Sequence, residues 1–246
     1  MIQFDILTLF PEIFSSPLKE SILKRAQERG LIKIQLFNLR DWAQDKHRTV
    51  DDTPFGGGDG MVLKPDVLER AINDLRGKKP LAPVILLSPQ GRRFDQSWAK
   101  ELAQLKRIIL VCGRYAGPDQ RAIDLLIDEE LSIGDYVLSG GEIPALVVIE
   151  TISRLIPGVL GNEDSSKYDS FPQRLEWAQY TRPREFKGNL PPEVLLTGDH
   201  KKIEIFRKKD SLRRTLLKRP DLICKFPPQG EEKALLEEIK KELWEN

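Results

Sequence analysis

The chain has 246 residues, 40% hydrophobic and 31% charged, with 39 lysines and arginines against 38 aspartates and glutamates. That length holds one large or two modest domains, and so even a charge balance excludes naming a partner from net charge. The two cysteines exclude a disulfide framework, and with the two histidines they show no metal-ligand spacing. The opening MIQFDILTLFPEIF has no basic leader, and no apolar run reaches the ~18 residues of a membrane span; a cytoplasmic protein without metal or membrane is expected.

In chain order, residues 2–9 read as a strand. Residues 17–30 read as a helix with Leu18, Ile22 and Ala26 on one face and Gly30 as its stop. Residues 32–39 form the next strand. A long glycine-rich loop then leads into a helix at 66–77. Strands are expected at 83–89, 107–113 and 130–138, and helices at 97–105, 119–127 and 143–156. Near-continuous apolar strands alternating with helices predict an α/β fold, a mostly parallel sheet covered on both faces, over residues 1–160.

Residues 161–180 lose all periodicity and read as an interdomain linker. Beyond them the chain turns basic: 181–220 holds twelve lysines and arginines against five acids. The tail EEKALLEEIKKELWEN predicts an amphipathic helix with Leu235, Ile239 and Leu243 on one face, so 181–246 is expected to be a small, basic, helical C-terminal domain.

Three successive strands end in unusual turns: LLSPQGRR, VCGRYAGPD and SIGDYVLSGGEIP. Ligands of an open α/β sheet bind beyond the carboxyl ends of its strands, so three such turns predict one shared site. Gly134, Gly140 and Gly141 imply that something approaches the backbone closely there. The dinucleotide fingerprint and the P-loop are both absent. Apolar Leu86, Leu87, Ile133 and Leu138, with Tyr115 and Tyr136 and few cations, suit a purine joined to an uncharged or cationic group.

At these turns the chain resembles the bacterial tRNA (guanine-N1)-methyltransferases of the knotted SPOUT class. The resemblance covers essentially the whole chain and includes DILTLFPE, DKHRTVDDTPFGGGDGMVLKPD, LLSPQGRRF, CGRYAGPDQR, SIGDYVLSGGE, ISRLIPGVLGN, DSF, QYTRP and VLLTGDH. It implies a C-terminal trefoil knot in the α/β domain, an obligate homodimer, S-adenosylmethionine as methyl donor, and a guanosine just 3′ of the tRNA anticodon as target. The implied cofactor site is Leu87, Ser88 and Pro89; Gly113 and Tyr115; then Ile133, Gly134, Asp135, Tyr136, Val137, Leu138, Gly140, Gly141 and Pro144.

The same resemblance makes Asp169, in the linker, the base at guanine N1, and Arg154 the group that stabilises charge at O6. It gives the basic region a tRNA backbone to hold, with Lys201, Lys202, Arg207, Lys208, Lys209, Arg213 and Arg214 as a group. It places the loop of His47, Arg48, Asp51 and Gly56–Gly60 at the active-site rim. The chain departs from the family pattern at Phe55, Ala116, Gln120, Arg174 and Ala178. Ala116 removes a carboxylate that could face the methionyl amine or a divalent ion, which leaves a magnesium requirement open. The alternatives are a related knotted methyltransferase with another RNA target and a non-catalytic RNA-binding module.

Overall fold

The strands alternate apolar residues that all find cover, because helices lie on both faces of the sheet they form. The computed structural model describes residues 1–77, 81–161, 170–171 and 173–244. The chain divides into two units, Met1–Glu163 and Asp164–Asn246. The first runs β1 (Ile2–Thr8), α1 (Ser21–Glu28), β2 (Ile32–Asn38), β3 (Asp51–Asp52), β4 (Val62–Leu63), α2 (Pro65–Arg76), β5 (Val84–Arg93), α3 (Gln96–Leu102), β6 (Arg107–Cys112), α4 (Gln120–Leu126), β7 (Glu129–Ser132) and α5 (Glu142–Ser153).

Five of these strands form one parallel sheet in the order β2-β1-β6-β5-β7, while β3 and β4 make a separate antiparallel hairpin. Period-two alternation sorts the side chains. Ile108, Leu110 and Cys112 of β6, with Ile85 and Leu87 of β5, pack with α1, α3 and α5. Ile109 and Val111, with Val84 and Leu86, pack with α2 and α4 on the other face. Two expectations need correction. The helix foreseen over 17–30 begins as a 3-10 turn at Pro17–Lys19 and becomes α-helical only from Ser21, whose φ is +48°. The strand foreseen over 130–138 stops at Ser132, because the chain swings away at Gly134 (φ +149°), with the Tyr136 N–H donating to the Gly134 carbonyl at 3.0 Å.

The ends of β5 and β7 meet in an unusual register. Leu131 is paired both with Leu87 and with Arg92, so Ser88–Gly91 bow out as a loop between two segments of one strand that hold β7. A Cβ at Gly91 would sit 2.3 Å from the Glu130 carbonyl carbon, so only glycine permits this approach.

Across the sheet interior, β1 and β6 share a buried ion pair. Arg107 and Asp5 are 0% and 1% exposed; Arg107 Nε donates to Asp5 Oδ2 at 2.8 Å and Nη2 donates to the Leu75 carbonyl at 2.9 Å. Gln3 Nε2 donates to the second Asp5 oxygen at 2.8 Å. A pair so fully satisfied is costly to break singly.

In the second unit, α6 (His200–Lys218), α7 (Pro220–Lys225) and α8 (Glu231–Trp244) pack through Leu212, Leu216, Ile223, Leu235 and Ile239. Leu243 is 40% exposed and does not join the face expected for it; Leu236, at 6%, is buried instead. Residues 174–178 are stitched to α6: the Leu175 N–H donates to Thr215 Oγ1 at 2.9 Å and the Ala178 N–H to Asp210 Oδ2 at 2.7 Å.

Arg107→Met should cost ~3–5 kcal/mol by stranding the Asp5 carboxylate, while Asp5→Leu/Arg107→Met should recover most of that loss. Denaturant unfolding of the three proteins checks it; a double variant no more stable than the single one would show that the pair does more than satisfy itself.

Candidate active site

Beyond the carboxyl ends of β5, β6 and β7, three turns surround a cavity of about 240 Å³. Its lining brings together Leu87, Ser88, Pro89, Gly113, Tyr115, Ile133, Gly134, Tyr136, Val137, Leu138, Gly140, Gly141 and Pro144, which is every residue assigned to a cofactor from the sequence except Asp135. Tyr115, Tyr136, Val137 and Leu138 are 50%, 54%, 85% and 43% exposed among the described residues and form an apolar rim. Tyr115 is held at φ +60° in a tight turn closed by the Gly117 N–H on the Arg114 carbonyl, 2.9 Å. A non-glycine residue in that region stores strain of ~1–3 kcal/mol, which the surrounding turn must offset.

The glycines answer to the protein rather than to a ligand. A Cβ at Gly141 would stand 2.7 Å from Cys112 Cα, one at Gly140 would stand 2.2 Å from Arg114 Nε, and one at Gly134 would stand 2.6 Å from the Tyr136 ring. The close approach foreseen at these positions is chain upon chain. The turn is sewn to β6 by the Gly141 N–H on the Gly113 carbonyl at 2.9 Å and by an Arg114–Gly140 bridge.

What Gly140 makes room for is an ion pair. Glu142, 1% exposed in the first turn of α5, accepts from Thr8 Oγ1 at 2.8 Å and from Arg114 Nε at 3.0 Å. Arg114 Nη1 reaches the Ser139 carbonyl at 3.3 Å, and its guanidinium lies 4.6 Å from the centre of the Phe10 ring. The helix dipole favours a carboxylate at this end. Sequence reading passed over Glu142 and Arg114; the signal was an acid opening an otherwise apolar helix. Burial pushes the Cys112 thiol beneath them well above its ordinary value, and Glu142 adds to that shift while Arg114 opposes it.

The described residues among the other expected site positions do not line this cavity. Arg154 is the C-cap of α5, so the helix, twelve residues and ~18 Å long, separates it from the cavity at the N-terminal end. Asp169 lies outside the described residues, as does much of the 161–180 linker. In the glycine-rich loop, only the returning end touches the cavity wall: the Ala116 N–H donates to the Met61 carbonyl at 2.9 Å, and Phe55 is 95% exposed. His47 and Arg48 are tied instead to Asp45 and Asp41.

Four of the seven cations expected to hold RNA are paired within the second unit. Lys208 meets Glu204 and Glu231 at 3.2 and 3.1 Å, Lys209 meets Glu238 and Glu242 at 3.0 and 2.7 Å, and Arg213 meets Glu242. Arg207 stacks 5.1 Å from the Trp177 ring, and Lys202 faces Asp199 at 3.6 Å. Among the described residues no group of three or more histidine, cysteine, aspartate or glutamate side chains could hold a metal ion, and no helix is long and apolar enough to cross a membrane.

A family profile described as tRNA (guanine-1)-methyltransferase TrmD matches residues 2–225. The chain is 52% identical over 246 residues to the tRNA (guanine-N(1)-)-methyltransferase of Dictyoglomus turgidum, covering 100% of this chain and 99% of that protein. It is 53% identical over 239 residues to the protein of that name from Dehalococcoides mccartyi strain ATCC BAA-2266, and 54% identical over 238 to that of Syntrophomonas wolfei, with 96% of each chain covered in both cases.

Glu142→Gln should cost ~3 kcal/mol, because Arg114 loses its buried counter-charge, and residues 133–141 should exchange amide hydrogen faster. Denaturant titration and hydrogen-exchange mass spectrometry measure both; unchanged exchange there would mean the turn does not hang on this pair. A thiol reagent at pH 8 should label exposed Cys224 and leave Cys112 untouched. Since the folded-state value of Cys112 is the raised one, its contribution to stability is whole below the ordinary thiol value of 9.0 and is lost as pH climbs through the folded value.

Proposed function

Since the chain belongs to the tRNA (guanine-1)-methyltransferase family, we propose that it methylates N1 of the guanosine immediately 3′ of the tRNA anticodon, from S-adenosylmethionine held at the ends of β5, β6 and β7. The observation that carries the cofactor assignment is the convergence of three turns, far apart in sequence, on one cavity with an apolar rim. Its walls fit that ligand. Leu86, Leu87, Ile133 and Leu138 offer apolar faces to a purine, and the turns offer backbone groups to its edge. The lone cation in the lining, Arg114, is neutralised by Glu142, so nothing there repels a sulfonium. The walls do not suit magnesium, which wants several hard oxygen ligands: Glu130 is the one acid of the lining, and alanine stands at 116.

When bound, S-adenosylmethionine supplies a methyl group on a positive sulfur. The protein must make neutral guanine a nucleophile. The Asp169 carboxylate takes the N1 proton, and the Arg154 guanidinium stabilises the negative charge that builds on O6; both roles rest on the family resemblance. A placed base contributes ~10²–10⁴-fold and fixed charge a similar factor.

The reading includes a homodimer whose active sites each draw on both chains. Its support is Arg154, held ~15 Å along α5 from Pro144 in the cavity wall of its own chain. The trefoil knot is also part of it and rests on the family resemblance. Residues 161–180 form the interdomain linker and 181–246 the tRNA-binding domain. The enzyme works in the cytoplasm, where tRNA is.

Gly113→Leu tests the cavity. A Cβ there meets nothing nearer than 3.7 Å, so the fold accepts it while the longer side chain competes for the space. Calorimetry should show S-adenosylmethionine affinity reduced ~100-fold or more at an unchanged unfolding midpoint; retained affinity would remove the cofactor from this cavity. Asp169→Ala should lose ~10²–10⁴-fold in rate and keep cofactor affinity. Mixed equally and allowed to exchange subunits, the two inactive variants should regain about a quarter of the wild-type rate, because half the dimers then carry one complete site. A mixture that stays inactive would confine base and cavity to one chain.

A further inference from the structure

In the second unit, residues 179–190 are all exposed, yet the segment is not slack. Phe186 and Asn189 exchange backbone hydrogen bonds at 2.9 and 3.0 Å around Lys187 (φ +54°) and Gly188 (φ +76°), a two-residue turn of the primed type. Asn189 Nδ2 braces it on the Lys187 carbonyl at 3.2 Å. The turn presents Phe186, 64% exposed, with Lys187 Nζ 5.6 Å from its ring centre. Tyr180, 51% exposed, stands at the base of the segment.

The charge here differs from that of α6. Arg182, Arg184 and Lys187 face a single acid in the segment, Glu185, and among the described residues none of the three forms an ion pair. On α6, Lys208, Lys209 and Arg213 are matched by the carboxylates of α8. Positive charge without a carboxylate partner among the described residues therefore lies here beside an exposed aromatic ring on a braced turn. Cations that track a phosphate backbone and an aromatic face for an unstacked base are together what binds single-stranded nucleic acid.

Resting on the methyltransferase reading, we infer that the 180–190 turn is a tRNA-binding element in which Phe186 stacks on an unpaired base while Arg184 and Lys187 neutralise its flanking phosphates. Lys208, Lys209 and Arg213 of α6 then serve the fold of their own unit.

The test uses the full-length protein and an unmodified tRNA transcript. Phe186→Ala should weaken tRNA binding ~5–100-fold, the range of one lost base stack, and Phe186→Trp should restore it to within about threefold. Arg184→Ala/Lys187→Ala should shallow the log–log salt dependence of tRNA binding by about 1.5. S-adenosylmethionine affinity should be unchanged in all three. A benzophenone amino acid at position 186 should crosslink to the RNA on irradiation. Unchanged tRNA affinity and salt slope would overturn the inference, as would a crosslink to a second copy of the chain. Methylation of the same transcript by the unaltered protein tests the underlying activity separately, so either claim can fail without the other.

Discussion

Glu142 is one carboxylate with four structural dependants. It receives the Thr8 hydroxyl from β1 and the Arg114 guanidinium from the turn after β6, and Arg114 carries on to the Ser139 carbonyl. It also opens α5, where the helix dipole favours it. Two of the three turns around the cavity are thereby fixed to each other and to β1. A carboxylate buried to 1% is tolerable only when its oxygens are occupied, so the network is strict about geometry. Gly140 follows from it, since any Cβ there would occupy the path between the two charges.

The cavity is thus shaped by the protein's own internal contacts. Tyr115, Tyr136, Val137 and Leu138 can stand exposed around it because the backbone beneath them is held elsewhere, by the Gly141–Gly113 bond and by the buried ion pair. Such prior arrangement favours binding, because little freedom is left to lose when a ligand arrives.

Much of the sheet was legible in the sequence. Runs apolar at every position, such as IILVC, demand cover on both faces, and the structure gives it. The end of β7 was not legible: IGDYVL looks like a continuing strand until one knows that Tyr136, Val137 and Leu138 face open space rather than a core. The glycines were noticed for a sound reason, close approach, but their neighbours are invisible in a linear pattern. Cys112 and Arg114 are more than twenty residues away along the chain. The charge of the basic stretch was only partly legible, for a related reason. Counting 181–220 by itself omits the acids of α8, which fold back on Lys208, Lys209 and Arg213. Arg154 could be placed from sequence at the C-terminal end of the helix that starts at the cavity, and the structure has it there.

The strand order has a consequence in time. β1 takes β2 on one side as soon as both exist, but its other neighbour is β6, and the Asp5 carboxylate meets Arg107 across a separation of 102 residues. At a synthesis rate of about 5–20 residues per second, the inner edge of β1 and its charged residue wait on the order of 5–20 s for their partner. During that interval a nascent chain carries an open apolar strand with an acid in its middle. The acid that is later satisfied by its partner is, until then, a feature of that edge that discourages another strand from joining it.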